Sequence, residues 1–161
     1  MHKEKGFTLI ELMVTVAVMG VLLTLGIPGF QYLMQSNHMS TQTNELVTGL
    51  ATARSEAVRS NQSTVLEAID GDWDDGFRIV RDSDALRVFE TFGTGLELDD
   101  GDGGTPPANI TFRGDGTRGA ASSTVTIGLE PADDCMGDMR REITITPGGS
   151  VSTTRSACND D

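Results

Sequence analysis

One side chain stands out chemically, because Glu11 is the only ionisable group in an apolar run that extends over residues 7–30. At about 1.5 Å of rise per helical residue, roughly 20 apolar residues cross the hydrocarbon core of a bilayer. A carboxylate in such a run is costly, because hydrocarbon cannot hydrate it, and intramembrane carboxylates usually have a function. The run therefore predicts a membrane-spanning helix in which Glu11 has a specific role.

The six residues ahead of this run are basic on balance, because Lys3 and Lys5 outnumber Glu4. By the positive-inside rule, the basic end of a membrane helix stays in the cytoplasm. No small-x-small cleavage site follows the apolar run, so an ordinary secretory signal is disfavoured. We expect the chain beyond the run to lie on the far side of the membrane.

Catalytic and metal-binding residue sets are missing from the sequence. His2 and His38 are the two histidines, and His2 belongs to the basic leader. One remaining histidine cannot complete a set of nucleophile, base and acid, and no cluster of Cys and His has metal-ligand spacing. The sequence predicts a protein that is not an enzyme and that has no cofactor or metal site.

Two acidic stretches invite a calcium interpretation, residues 70–76 and residues 99–102. The first begins like an EF-hand loop, with alternating aspartates, but Asp75 stands where the loop needs glycine and Arg81 where it needs glutamate. Aspartate and glycine are also the usual residues of solvated turns. We therefore favour acidic turns over calcium sites at both places.

Charge and composition restrict the partners of the chain. The 161 residues carry a formal net charge of −12, and 37% of them are hydrophobic, the apolar run included. Both lysines belong to residues 1–6, so every later basic residue is an arginine. An acidic surface disfavours nucleic acid or an anionic membrane surface as a general partner. The length suits one modest domain in addition to the membrane segment.

The pattern of apolar residues predicts the elements that hold these side chains. A helical stripe continues after the apolar run, so that one long helix is expected from about residue 8 to residue 60, its second half amphipathic. The stripe consists of Leu46, Val47, Leu50, Ala53, Ala57 and Val58. Short runs of β-forming residues predict strands at 63–69, 77–81, 86–92, 109–113, 123–129 and 142–146. The pattern indicates an α+β fold with one antiparallel sheet.

Residues 6–12, G-F-T-L-I-E-L, follow a short basic leader and open the hydrophobic helix. This arrangement resembles the class III signal of type IV pilins and type II secretion pseudopilins. The resemblance implies cleavage between Gly6 and Phe7 by prepilin peptidase and N-methylation of Phe7. It also implies a helix that anchors the subunit in the bacterial inner membrane and later lines the core of a filament with other pilins. Glu11 would set the register of the subunits.

Two further motifs resemble the FimT/GspH family of minor pilins and pseudopilins. Residues 53–57 read A-R-S-E-A at the end of the helix, and Trp73, Gly76 and Phe77 form a W-x-x-G-aromatic turn. The resemblance implies a type IV pilin-like fold, in which a long N-terminal helix packs on a C-terminal antiparallel sheet domain. The expected division is a leader at 1–6, a transmembrane half-helix at 7–30, an amphipathic half-helix at 31–60 and a periplasmic domain at 61–161.

The two cysteines, Cys135 and Cys158, lie far outside the membrane segment. A domain translocated to the periplasm sits in an oxidising space, where a disulfide is favoured over two free thiols. By the chain-entropy relation, closing this loop would stabilise the domain by about 3 kcal/mol. We expect a disulfide between Cys135 and Cys158.

Two functions remain open from the sequence. One is a minor pilin of a type IV pilus, with DNA uptake as a further role, and the other is a GspH-type pseudopilin of a type II secretion system. FimT-type pilins capture DNA through a G-R-x-R pattern, which would fall at residues 149–152, but both arginines are missing there. The remaining DNA-binding candidates are Arg140, Arg141 and Arg155, and we expect weak DNA binding or none.

Overall fold

The computed structural model describes residues 7–90, 92–93, 95–119, 123–133 and 135–159, apart from the side chains of residues 25–28. The predicted leader at residues 1–6 lies outside the described residues. The chain divides into two compact units, Met1–Ser36 and Asn37–Asp161, and each is described here by itself. The predicted boundary between residues 30 and 31 stays a prediction.

One long helix, α1, extends over Leu9–Ser60 and contributes residues to both units, as the sequence predicts. In the first unit its apolar side chains are exposed, at residues 9–24 and again at 29–34. An 18-residue window of α1 reaches a mean hydropathy of 2.3, so the helix is long and apolar enough to cross a membrane. The first half of α1 therefore has an apolar surface that must be shielded from water by lipid or by other apolar surfaces.

Eight strands follow α1 in the second unit. They are β1 (Thr64–Ile69), β2 (Asp72–Arg81), β3 (Asp84–Phe89), β4 (Leu96–Asp99), β5 (Asn109–Phe112), β6 (Val125–Pro131), β7 (Arg140–Ile145) and β8 (Val151–Ser156). They form two four-stranded sheets with the orders β3-β2-β1-β5 and β4-β6-β7-β8. Every pairing within the two sheets is antiparallel. The antiparallel α+β class is as predicted, but the strands form two sheets and not one.

The core of the second unit lies between the second half of α1 and the inner faces of both sheets. Alternation along the strands places apolar side chains on that inner face. The fully buried residues of α1 are Met39, Leu46, Leu50, Ala53 and Ala57. The buried strand residues include Leu66, Phe77, Ile79, Ile110, Phe112, Ile127, Leu129, Ile143 and Ile145. The predicted helical stripe is thus confirmed for Leu46, Leu50, Ala53 and Ala57, whereas Val47 is only partly buried and Val58 is half exposed.

The contact between α1 and β2 depends on a small residue in the helix. A Cβ atom added at Gly49 would lie 2.5 Å from Cε2 of Phe77, too close for two carbon atoms. The ring of Phe77 is itself fixed by neighbours, because it stacks on Phe89 at 4.4 Å and meets Phe92 edge-on at 5.0 Å. Gly49 therefore lets the helix approach this aromatic cluster closely.

Two strands, β4 and β8, were not predicted. The acidic turn predicted at residues 70–76 overlaps β2, which begins at Asp72, and the second acidic stretch, residues 99–102, begins at the last residue of β4. β4 has only four residues, and most of β8 is exposed, so neither shows a run of alternating apolar residues. An edge strand that buries little apolar surface needs few apolar residues, so its sequence has no pattern from which a strand can be predicted.

Candidate assembly site

The start of α1 is closed by reciprocal hydrogen bonds between Thr8 and Glu11. The backbone N–H and the hydroxyl of Thr8 both donate to Oε2 of Glu11, at 2.9 Å and 2.8 Å. In return, the backbone N–H of Glu11 donates to Oγ1 of Thr8 at 3.3 Å. This is the capping-box arrangement, in which two otherwise unpaired N–H groups of a helix start are satisfied. It explains locally why the helix begins at Leu9.

The capping box also fixes the position of the carboxylate of Glu11. The positive end of the helix dipole favours a negative charge in the first turn. Both bonds from Thr8 use Oε2, and within the described residues Oε1 of Glu11 has no hydrogen-bond donor. Phe7, the predicted first residue after cleavage, is 84% exposed beside it. A carboxylate with an open oxygen therefore stands next to the predicted new amino terminus, while Gly6 lies outside the described residues.

Residue Arg54, in the A-R-S-E-A segment of α1, connects the helix to two turns of the sheet domain. Its Nε donates to the carbonyl oxygen of Gly116 at 2.9 Å, and its Nη2 donates to that of Gly148 at 3.1 Å. Gly149 has a φ of +76°, and a Cβ there would lie 2.2 Å from the oxygen of Gly116. Only glycine fits at this point, where both turns meet the guanidinium. Sequence reasoning recognised the segment but assigned Arg54 no contact.

A buried ion-pair network surrounds Arg140, on β7. Its guanidinium forms a bidentate pair with Asp99, with Nη1–Oδ2 and Nη2–Oδ1 distances of 2.6 Å and 2.7 Å. Nη1 also lies 3.2 Å from Oε2 of Glu130, and Nε lies 3.5 Å from Oε1 of Glu142. The side chain of Arg140 is only 2% exposed. Three carboxylates thus compensate one buried cation, and sequence analysis predicted none of these pairs.

The network shifts the pKa values of two of its members, Asp99 and Arg140. Burial raises the pKa of the Asp99 carboxyl, but hydrogen bonds from Arg140 and from the backbone of Gly101 outweigh this effect, and the pKa lies below its ordinary value. The hydrogen bonds to Asp99 raise the pKa of Arg140, against the opposing effect of burial. Both groups are therefore charged across the physiological pH range.

The three arginines suggested for DNA binding do not form one exposed cluster. Arg140 is enclosed by carboxylates, and Arg141 is buried, with Nη1 donating to the carbonyl oxygens of Asp138 and Met139 at 2.8 Å each. Arg155 is exposed, on the β8 position opposite Arg141. A buried guanidinium cannot reach a phosphate, so the geometry leaves Arg155 as the accessible member. The sequence could not distinguish these cases, because it shows the residue type and not its burial.

The acidic loops are organised by hydrogen bonds to their own backbone. Oδ1 of Asp72 accepts the N–H of Asp74 at 3.0 Å, and Oδ1 of Asp100 accepts the N–H groups of Asp102 and Gly104. Such bonds are typical of turns in which aspartate mimics the backbone. Within the described ranges, no group of three or more His, Cys, Asp or Glu residues has the geometry to hold a metal ion.

The predicted disulfide is confirmed, because Cys135 and Cys158 are joined with a Cα–Cα distance of 5.9 Å. The bond holds the segment after β8 against the loop before β7. Next to it, the backbone N–H of Asn159 donates to Oε2 of Glu130 at 3.1 Å. The disulfide therefore borders the Arg140 network through Glu130.

In the sequence, an exposed apolar half-helix precedes a domain of one helix segment and two sheets. This order of elements can be compared with known proteins. A family model described as Type II transport protein GspH matches residues 42–149, more than half of the chain. The chain belongs to the GspH family. A second model, the prokaryotic N-terminal methylation motif, matches residues 1–27, which include the G-F-T-L-I-E-L segment of this GspH-family protein.

The chain is also similar to fimbrial and pilin proteins. The GspH-family chain is 37% identical over 79 residues to a fimbrial protein of Pseudomonas aeruginosa, a match covering 48% of this chain and 51% of that protein. It is 35% identical over 66 residues to the type IV major alpha-pilin of Moraxella bovis, which covers 41% of each chain. The chain thus spans about half or less of the length of these relatives.

A solved structure has the same fold. The crystal structure of the type IV minor pilin FimU of Pseudomonas aeruginosa strain PAO1 superposes with a TM-score of 0.60 at 23% identity, over 73% of this chain and 89% of that chain. A second crystal form of FimU gives a TM-score of 0.58. The predicted type IV pilin-like fold is confirmed.

Proposed function

We propose that this GspH-family protein is a membrane-anchored subunit of a type IV pilus or a pilus-like filament. The observation that carries the proposal is the first half of α1, where exposed apolar side chains surround a single carboxylate, Glu11, in the first helical turn. An apolar surface of this length is stable only against lipid or other apolar helices. The anchor and the filament core provide these two environments in turn.

Processing gives Glu11 a partner. Cleavage between Gly6 and Phe7 by prepilin peptidase creates an amine on Phe7, which N-methylation leaves basic. In low dielectric, an unpaired amine and an unpaired carboxylate are each expensive. Pairing the amine of one subunit with Oε1 of Glu11 on its neighbour satisfies both charges and fixes the axial register. Thr8 holds the carboxylate in place for this contact through the capping box.

Orientation follows from charge. The basic leader stays in the cytoplasm, α1 crosses the inner membrane once, and the sheet domain lies in the periplasm. The disulfide between Cys135 and Cys158 supports this placement, because such bonds persist in the oxidising periplasm. The partners are other pilin-type subunits and prepilin peptidase, and the function is assembly, without catalysis.

The alternative function is that of a GspH-type pseudopilin in a type II secretion system. The description of the matching family model favours this alternative, while the fimbrial relatives favour a pilus. Deleting the gene separates the two. Loss of surface filaments or twitching with normal export indicates a pilus, whereas periplasmic retention of folded exoproteins indicates a pseudopilus. DNA uptake is a minor candidate, because Arg140 and Arg141 are buried.

The test of the proposal compares substitutions along one turn of α1. We expect Glu11→Ala to insert in the membrane and to be cleaved, but to be depleted from sheared filaments, because the amine of Phe7 loses its partner. Glu11→Gln keeps an acceptor for Thr8 but loses the charge, so it should also assemble poorly. Thr15→Ala, one turn further along the helix, is the matched control and should assemble normally. Normal incorporation of Glu11→Ala would contradict the proposal.

Thr8 provides a second comparison. If Glu11 acted only as a helix cap, Thr8→Ala would harm assembly as much as Glu11→Ala, because either change breaks the capping box. The proposal predicts a mild effect for Thr8→Ala, since the carboxylate and its charge remain. Immunoblots of the sheared and membrane fractions measure both variants side by side.

A further inference from the structure

Four strands lie at the edges of the two sheets, and β8 has the most regular open edge. It pairs with β7 through six consecutive residue pairs without a register shift. By contrast, β3 pairs with β2 through an irregular register, and the edge strands β4 and β5 have four residues each. β8 also contains neither proline nor lysine, which commonly protect a sheet edge from further pairing.

Half of the backbone groups of β8 face away from β7. In an antiparallel pair, residue pairs that exchange hydrogen bonds alternate with pairs that do not. The N–H of Thr146 donates to the carbonyl of Ser150 at 2.9 Å, and the register continues from there along β8. The alternation therefore assigns outward-facing N–H and C=O groups to Val151, Thr153 and Arg155. No strand in the described part of the chain pairs with that side.

Beside this open edge, two clefts follow one another between α1 and β8. The larger has a volume of about 700 Å³ and is lined by residues within 47–59 and 149–151. The smaller has a volume of about 280 Å³ and is lined by residues within 40–44, 153–155 and Arg141. We refer to the two clefts together as the α1–β8 furrow.

The furrow is lined by arginines, in a protein whose net charge is −12. Arg54 and Arg59 line the larger cleft, and Arg141 and Arg155 line the smaller one. Arg54 is bonded to two turns, Arg59 pairs with Glu56 and Arg141 is buried, so exposed Arg155 is the arginine that faces an occupant. None of the described residues that line either cleft carries a carboxylate. Charge complementarity therefore favours an occupant with acidic side chains.

The two ends of the furrow differ in polarity. The larger cleft has an apolar floor formed by Val47, Ala51 and Val151, whereas the smaller one is lined by hydroxyl, amide and guanidinium groups. Val151 and Arg155 lie four residues apart on the same face of β8. An extended occupant that pairs with β8 would place an apolar side chain beside Val151 and an acidic one beside Arg155.

We propose that the α1–β8 furrow is a docking site for an extended acidic segment of a partner protein, which adds to the open edge of β8 as a further strand. Backbone hydrogen bonds to Val151, Thr153 and Arg155 provide affinity, and the exposed guanidinium of Arg155 selects the charge. At about 3.4 Å per residue, six residues of the partner match the length of β8. DNA fits less well, because its backbone has no N–H donors for a strand edge and the net charge of the protein repels a polyanion.

A peptide-binding assay tests the proposal with the full chain in a mild detergent. The probe is a fluorescein-labelled octapeptide of serine with valine at position 2 and glutamate at positions 4 and 6, so that valine and glutamate share one face, and its control has lysine in place of glutamate. We expect micromolar binding of the acidic peptide and none of the basic one. Arg155→Glu should weaken binding about tenfold or more, because it removes an attraction and adds a repulsion. Arg87→Glu makes the same charge change on β3 and should leave the affinity unchanged.

The strand-addition geometry has its own test. Thr153→Pro removes an outward-facing N–H without touching the ladder with β7, so it should abolish peptide binding, while Thr153→Val should retain it. In the wild-type chain, the peptide should slow hydrogen exchange of the amides of Val151, Thr153 and Arg155, and leave those of the alternate residues unchanged. Equal binding of both peptides, or unchanged exchange at these three amides, overturns the proposal. So does a single-stranded oligonucleotide that binds more tightly than the acidic peptide.

Discussion

Nε of Arg54 donates a hydrogen bond of 2.9 Å to the carbonyl oxygen of Gly116, across 62 residues of sequence. Since Nη2 of the same side chain donates to the carbonyl oxygen of Gly148, one guanidinium binds two turns of the sheet domain to α1. Hydrogen bonds from a charged donor to backbone oxygens are stronger than neutral ones. The end of the long helix is therefore attached to the sheet domain by directed bonds as well as by apolar packing.

This attachment predicts a large effect from one helical residue. Arg54→Ala should lower the free energy of unfolding by about 2–3 kcal/mol, because two charge-assisted bonds are lost and two carbonyl groups are left unpaired. Arg59→Ala is the matched control, because the side chain of Arg59 is 70% exposed, and it should cost less than about 1 kcal/mol. Urea denaturation followed by circular dichroism measures both. Equal losses for the two variants would refute the role of Arg54.

The second prediction concerns Gly128, which leaves room for the buried ion pair of Arg140 and Asp99. A Cβ added at Gly128 would lie 2.3 Å from Nη2 of Arg140 and 2.4 Å from Oδ1 of Asp99. Gly128→Ala must therefore push the pair apart, and we expect a loss of about 2–4 kcal/mol in the free energy of unfolding. Gly148→Ala is the control, since its Cβ would lie no closer than 3.9 Å to Oγ1 of Thr146. Wild-type stability of Gly128→Ala would show that the pair can move without cost.

The ion pair of Arg140 and Asp99 also makes the free energy of unfolding depend on pH. The pKa of Asp99 lies below its ordinary value in the folded protein, because hydrogen bonds from Arg140 outweigh the effect of burial. The unfolded chain therefore binds a proton first as the pH falls through about 4, and stability is lost from there toward the folded-state pKa. Above about pH 4 the contribution of Asp99 to the free energy of unfolding is fully present, so this contribution should fall only on acidification.

The variant Asp99→Asn isolates this contribution. At neutral pH it should unfold more easily by about 3 kcal/mol, because Arg140 remains buried with a weaker partner. The difference from wild type should narrow as the pH falls below about 4 toward the folded-state pKa of Asp99, because the wild type loses the contribution of the charged carboxylate over that range. Asp75→Asn, an exposed position on β2, serves as the control and should follow the wild-type curve. A difference that stays constant from pH 7 to pH 3 would count against the ion pair as the cause.

Reduction of the disulfide gives a fourth prediction. Cys135 and Cys158 are separated by 23 positions, and opening a loop of this size costs about 3 kcal/mol by the chain-entropy relation. A double variant, Cys135→Ser with Cys158→Ser, should lose about that amount. Reductant should destabilise the wild-type domain and leave the double variant unchanged, which controls for other effects of the reagent. No response of the wild type to reductant would contradict the prediction.

Local patterns were sufficient to predict the helix and its two surfaces. The apolar run, the amphipathic stripe and the isolated Glu11 are all encoded by neighbours in sequence, so the extent of α1 followed from periodicity alone. The capping box is encoded in the same way, by a threonine three residues ahead of a glutamate, although only the role of Glu11 was inferred.

Contacts distant in sequence could not be predicted. Arg140 was interpreted as a possible DNA contact because two consecutive arginines look alike whether they are exposed or buried. Its main partner, Asp99, is 41 residues away, on a strand of four residues that the pattern did not reveal. β8 was missed because it buries little apolar surface, and the furrow beside it exists only once the helix and this strand are brought together.

The most direct test of the account is the identity of the amino terminus of the chain inside filaments. Filaments are sheared from cells that produce an epitope-tagged chain, and the tagged subunit is identified by intact-mass measurement and by sequencing its first peptide. The account predicts that the chain is present in this fraction and begins at N-methylated Phe7. Finding the chain only in membranes, with residues 1–6 still attached, in cells whose filaments are otherwise normal would contradict it.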